Sequence, residues 1–296
     1  MAQELTQPKI RKAVELTSPT GRQSPGAGKR TKAVLISNIG LVLFGAAFLL
    51  PLLWLVLASV DSQASFALKI PHITLGNFRQ ALANGGTDAL LNSLVLALVA
   101  TLLSTTAASL AAYALVRHRI PWKGPFLLFV LFLTAIPMSI LIIPVYEMYV
   151  TLGWLSIVPS AVFLAVTSLP YEIWLLKNYI EALPEELEEA ARVENASTSQ
   201  ILLRIVLPLA LPGIGAAAIF GFVNAWGSFI VPLVLISSSS QTTGPVAIFN
   251  FLAASDIHYG DLAAFSLLYS IPIFLIYLGM SRLFVGGFVL RGAMKG

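Results

Sequence analysis

Residues 183–212 read LPEELEEAARVENASTSQILLRIVLPLALP, a charged stretch between long apolar runs and too polar to cross a membrane itself. Pro184 suits the first turn of a helix, where its missing N–H costs nothing. Glu185 and Glu186 follow, where the positive end of the helix dipole favours carboxylates. Leu187, Ala190, Ala191 and Glu194 fall at i, i+3, i+4 and i+7 and share one face. That face is small and weakly apolar, suited to docking under a partner rather than to a deep core. Asn195 stands where helices commonly end in a left-handed residue, a conformation Asn tolerates. Ser197 and Gln200 form an S-x-x-Q capping box for a second short helix. That helix carries Ile201, Leu202 and Ile205 and is expected to end near Pro208. The pattern predicts a helix–turn–helix lying on a membrane surface.

Six apolar runs surround this loop, at about 34–59, 90–116, 126–150, 157–176, 205–236 and 262–285. Each reaches the ~20 residues needed to span a bilayer, and the fifth is long enough to tilt, kink or begin with a surface segment. Composition agrees: 57% of the 296 residues are hydrophobic and 11% charged, with a mean hydropathy of +0.85. Soluble domains carry about 25% charged residues. A backbone in lipid must satisfy its own hydrogen bonds, so the runs read as helices, and strand alternation is absent. Pro51, Pro137, Pro144 and Pro272 fall inside them and are tolerated in that setting. The expected fold is an all-α polytopic membrane protein with the helix–turn–helix between spans four and five.

Lys and Arg set the orientation. With both ends inside, the cytoplasmic face collects Lys9 to Lys32, then Arg117, Arg119 and Lys123. It also takes Lys177, Arg192 and Arg204, and finally Arg282, Arg291 and Lys295. Lys69 and Arg79 alone fall outside. Residues 1–33 are basic and rich in Ser, Pro and Gly, and read as a disordered cytoplasmic tail that helps to fix orientation. The following run is longer than a cleaved signal's ~7–15 apolar residues, so it reads as an uncleaved span.

Several chemistries are excluded. There are no cysteines, which removes disulfides and thiolate sites. His72, His118 and His258 have no metal spacing. Gly26-Ala27-Gly28-Lys29-Arg30 mimics part of a phosphate-binding loop. Gln23 and Arg30 occupy positions that need Gly and Ser or Thr. Nucleotide binding by this chain is therefore not expected.

Glu189-Ala190-Ala191, Asn195-Ala196-Ser197 and Ile205-Val206-Leu207-Pro208-Leu209 with Pro212 resemble the EAA loop of ABC importer permeases. Asn195 stands where that family usually has Gly. Other matching stretches are Asn92-Ser93-Leu94, His118 to Gly124, Pro144-Val145-Tyr146 and Leu152-Gly153-Trp154. Trp226-Gly227-Ser228-Phe229 resembles the family's W-N-E-F stretch, with its Asn-Glu pair replaced. The ending, Gly286-Gly287 and Gly292 to Gly296, is similar to the maltose-type carbohydrate subgroup. Residues 34–296 are thus identified as a transmembrane domain of that family, in a bacterial cytoplasmic membrane.

The resemblance implies a coupling role for Glu189, Ala190, Ala191, Asn195, Ala196, Leu207 and Pro208, which would meet a partner ATPase. It implies that Gly292, Lys295 and Gly296 contact that ATPase. The implied partners are a second homologous permease, two ATPase subunits and an extracytoplasmic solute-binding protein. ATP and magnesium would belong to the ATPase, with no cofactor bound by this chain. The implied cargo is a sugar or related polar solute.

Candidates for the solute path are Asn224, Trp226 and Ser228. Asn224 and Ser228 share a face at i, i+4, and either contact solute or pin helices. Trp226 either stacks on a sugar or packs. Glu147 and Glu172 lie near the predicted outer ends of their spans and read as solvated interfacial carboxylates. A non-sugar solute such as a glycerophosphodiester remains open. An ion-coupled carrier would want midplane charges and inverted repeats, which are not evident. An intramembrane enzyme would need a catalytic constellation, and no His or Asp falls in a span core.

Overall fold

The computed structural model describes the backbone of residues 27–67, 69–254 and 257–293, with side chains described between 37 and 279 of these. Two compact units are distinguished, 1–53 and 54–296. Among the described residues regular structure is helical, apart from one isolated antiparallel bridge between Asp61 and Ile73. Among the described residues five helices are long and apolar enough to cross a membrane, or six if one bent pair counts as a span.

Helix α1 (Ala27–Ser59), of which 27–53 belong to the first unit, starts upstream of the expected Val34 and carries Pro51 without ending there. The remainder of the expected tail, 1–26, lies outside the described residues. Ile39, Leu41, Phe44, Phe48 and Leu49 are all exposed, around the whole circumference rather than on one stripe. An all-round apolar helix suits immersion in lipid.

The second unit continues with α2 (Gly76–Ala81), which passes through a wide turn at Leu82–Gly86 into α3 (Thr87–Arg117). Then come α4 (Lys123–Leu133), α5 (Met138–Leu152), α6 (Ile157–Glu181), α7 (Glu186–Val193) and α8 (Thr198–Ile201). The rest are α9 (Leu207–Trp226), α10 (Ile230–Leu235), α11 (Gly244–Ala253) and α12 (Tyr259–Ala293).

Helices α3, α6 and α9 form the packed centre. Each presents a stripe of small buried residues. On α3 these are Ala97, Ala100, Ser104, Ala108 and Ala112; on α6, Ala161, Ala165 and Ser168; on α9, Ala210, Gly213, Ala217, Gly221 and Ala225. Lipid tails are as apolar as leucine, so burial from water does not hold helices together there. Close backbone approach and shared hydrogen bonds do, and small residues permit both.

Two predicted spans are broken. The third, expected as one run over 126–150, is α4 and α5 bent by 87°. Pro137 caps the second half with extended backbone, rather than being carried inside a helix. The N–H groups of Thr134, Ala135 and Ile136 close tight turns onto Leu131, Phe132 and Leu133, which ends α4 before the proline. The fifth run, expected to reach Ile236, stops at Trp226. Residues 227–229 separate it from α10.

The second short helix of the loop differs as well. It does not end near Pro208. The backbone widens into a π turn over Leu202–Val206 and continues through Pro208 as α9. Pro208 falls in the first turn of α9, where the widened backbone accommodates a residue without an N–H.

Candidate functional site

The loop between α6 and α9 folds as its local signals require. Pro184 lies just outside α7 rather than in its first turn, and Glu185 is the N-cap. Glu186, Glu188 and Glu189 occupy the first turn and Arg192 the last, each sign at its favourable end of the dipole. Asn195 has φ 61°. The Asn195 N–H donates to Arg192 O and the Ala196 N–H to Ala191 O, both at 3.0 Å. This paired arrangement satisfies the last carbonyls of the helix and turns the chain sharply. The capping box is present: the Gln200 N–H donates to Ser197 Oγ at 3.3 Å, and the Ser197 N–H to Gln200 Oε1 at 2.8 Å.

These turns give α7 two faces. Leu187, Glu189, Ala190 and Glu194 are exposed and Ala191 is half-buried. Ala190, Ala191, Glu194, Asn195, Ala196 and Gln200 line an open groove of about 520 Å³, with Ile201, Arg204 and Ile205. Glu189 makes no ion pair among the described residues. Leu207 is half-buried and Pro208 exposed, both on α9 beside the loop.

The opposite face carries a residue that sequence reasoning missed. Glu188 is buried, and Arg117 Nε donates to its Oε1 at 2.6 Å. Tyr113 Oη donates to Glu188 Oε2 at 3.4 Å, and Arg192 lies 3.8 Å from the same oxygen. The i,i+4 relation of Glu188 to Arg192 was legible in the sequence. The partners on α3, 71 and 75 residues away, were not.

Residues 104–287, which contain this loop, match the family described as binding-protein-dependent transport system inner membrane component. The chain belongs to that family. A trehalose transport system permease protein of Mycobacterium tuberculosis is 31% identical over 256 residues, covering 84% of this chain and 93% of the relative. A trehalose/maltose transport system permease protein of Thermococcus litoralis is 31% identical over 269 residues, covering 87% and 95%. The crystal structure of a bacterial ABC transporter that imports the acidic polysaccharide alginate contains a similar chain. Its TM-score is 0.74 at 19% identity, over 86% of this chain and 97% of that one. At that identity the likeness speaks for the fold. The protein is a multi-pass membrane permease subunit.

The remaining candidates of the permease are distributed as follows. Glu147 is exposed on α5. Glu172 is not a solvated interfacial carboxylate. It is 0% exposed, deep between α3, α6 and α9, and accepts from Ser104 Oγ at 2.9 Å and Thr105 Oγ1 at 3.3 Å. Its position in a helical run gave no hint of this, because the hydroxyls come from another span. Asn224 Nδ2 donates to Ser168 Oγ at 3.1 Å and so pins α9 to α6. Ser228 does not share a helical face with it, since α9 ends at Trp226.

Trp226 is 2% exposed and stacked between Phe222 and Tyr269, and its Nε1 donates to Tyr269 O at 3.2 Å. It is a packing residue in this structure and has no free face for a sugar. Lys295 and Gly296 lie outside the described residues. Gly292 falls in the last turn of α12, where side chains are not described.

Proposed function

We propose that this permease is one subunit of an ATP-driven importer for a neutral sugar or short oligosaccharide, and that its partner ATPase docks on the open face of α7 and α8. The observation that carries the docking reading is the groove of small side chains on a helix whose other face is anchored to the spans. A groove lined by Ala190, Ala191 and Ala196 admits close approach by a partner backbone, and Glu189 stands free beside it to accept a charge-assisted hydrogen bond. The sugar class is supported by the substrates named for the relatives, trehalose and maltose among them.

The full assembly in this reading contains a second permease, two ATPase subunits that hold ATP and magnesium, and an extracytoplasmic binding protein. Both termini and the loop face the cytoplasm, as the Lys and Arg distribution supports. The C-terminal residues Gly292, Lys295 and Gly296 contact the ATPase.

Reconstitution tests this reading. The purified chain alone should hydrolyse no ATP. The complete complex in proteoliposomes should take up radiolabelled trehalose or maltose when its binding protein and internal ATP are supplied. Ala190→Arg should abolish co-purification with the ATPase while the chain still inserts. Retained co-purification would overturn the docking surface. Deleting 293–296 should lower solute-stimulated ATPase activity without loss of insertion.

A further inference from the structure

We infer that Arg117 is a positioning residue for coupling: its guanidinium ties α7 to two spans at once and carries movement of the docking helix into α3 and α6. The inference rests on the docking reading above. Its basis is the way α7 is held. From α7 only Ala191 joins the apolar cluster formed by Ala112, Tyr113, Leu176 and Ile180 at the ends of α3 and α6. One alanine is a weak seat for a helix that must transmit force. The other attachment is Glu188, whose side chain is 2% exposed against 5% for Arg117.

The guanidinium is satisfied in three directions. Nε donates to Glu188 Oε1 at 2.6 Å, while Nη2 donates to Ile180 O at 3.4 Å and Leu183 O at 3.3 Å. Those carbonyls lie at the negative end of the α6 dipole, which favours a cation there. Arg117 thus sits at the junction of the end of α3, the end of α6 and the first turn of α7. A planar fork serves such a junction, and a lysine ammonium lacks that geometry. Glu188, in turn, is held from α3 at both oxygens, by Arg117 and by Tyr113. A push or pull on the outer face of α7 therefore reaches α3 and α6 through this charged link, in addition to the Ala191 contact and the short 182–185 connection.

The test uses the complete complex in proteoliposomes, with trehalose as probe solute. It reads ATP hydrolysed per trehalose taken up, normalised to assembled complex. Arg117→Lys and Glu188→Gln should each raise that ratio about fivefold or more, the scale of an ordinary inter-site coupling. The double variant should do no worse than either single one. Glu188→Asp keeps the charge but shortens its reach and should lie between, which covers the case where a harsher variant fails to assemble. An unchanged ratio in the variants that assemble would overturn the proposal, even if yield falls, and would leave the pair a structural brace. Ala190→Arg in the same preparation separates the two readings, because normal assembly there defeats the docking surface and not the link.

Discussion

Gly221 on α9 faces Glu172 on α6 so closely that a Cβ added to the glycine would lie 2.6 Å from Glu172 Oε1 and 3.3 Å from Ser104 Oγ. The missing side chain is what lets the three central helices meet around a buried carboxyl. Gly221→Ala should therefore destabilise the permease by about 1–3 kcal/mol through overpacking. Thermal unfolding in detergent should report a lower midpoint, with Gly215→Ala, which meets nothing within 4 Å, as the control.

Glu172 meets two hydroxyls and no cation among its hydrogen-bond partners. A glutamine has the same shape and can accept from one of these hydroxyls while its amide N–H donates to the other. Glu172→Gln should assemble with stability within about 1 kcal/mol of the parent, whereas Glu172→Ala should lose about 2–3 kcal/mol by opening a void and leaving hydroxyls unpaired. Comparing the two midpoints checks this.

The indole of Trp226 and the ring of Tyr269 stack with centroids 4.5 Å apart, and each residue also hydrogen-bonds the other's carbonyl. They close the end of α9 onto α12. Trp226→Ala should cost about 3–5 kcal/mol. Because the ring is enclosed, Trp226→Phe should lower stability while the preference between trehalose and maltose in competition uptake stays the same.

Asn195, at φ 61°, turns the chain between α7 and α8. Asn195→Gly should be accepted with normal assembly, since glycine adopts that conformation freely. Asn195→Val should cost about 1–2 kcal/mol. It should also loosen the groove, which would appear as faster hydrogen exchange across 190–201.

Asp61 orders the segment that follows α1. Burial pushes its carboxyl up, but backbone N–H groups of His72 and Gln63 donate to it, and Lys69 stands beside it. Together these hold it below the usual carboxylate range. Its stabilising effect is therefore complete above the unfolded value of about 4 and is lost as pH falls through the folded value. Acidification below about pH 4 should speed hydrogen exchange across 60–77, and Asp61→Asn should remove that pH dependence.

The sequence by itself determined the membrane class, the positions of most spans and the local shape of the loop. Those features rest on interactions within a few residues: apolar runs, the capping box of Ser197 and Gln200, and the left-handed Asn195 that closes α7. Breaks were harder to read. Pro144 and Pro51 are carried inside helices while Pro137 sits at a break and caps the helix that follows it. Whether a proline bends or breaks a helix depends on which neighbours re-satisfy the freed carbonyls.

Only the tertiary structure decided what the polar residues inside the protein do. Glu172 takes its hydroxyls from α3, Trp226 its stacking partner from α12, and Glu188 its guanidinium from a residue 71 positions away. On one helix Glu188 and Glu189 are adjacent and alike, yet one is enclosed and the other free. The reason is geometric: consecutive helical side chains point about 100° apart, and which of them meets a partner is fixed by how the spans pack, not by the chain around them.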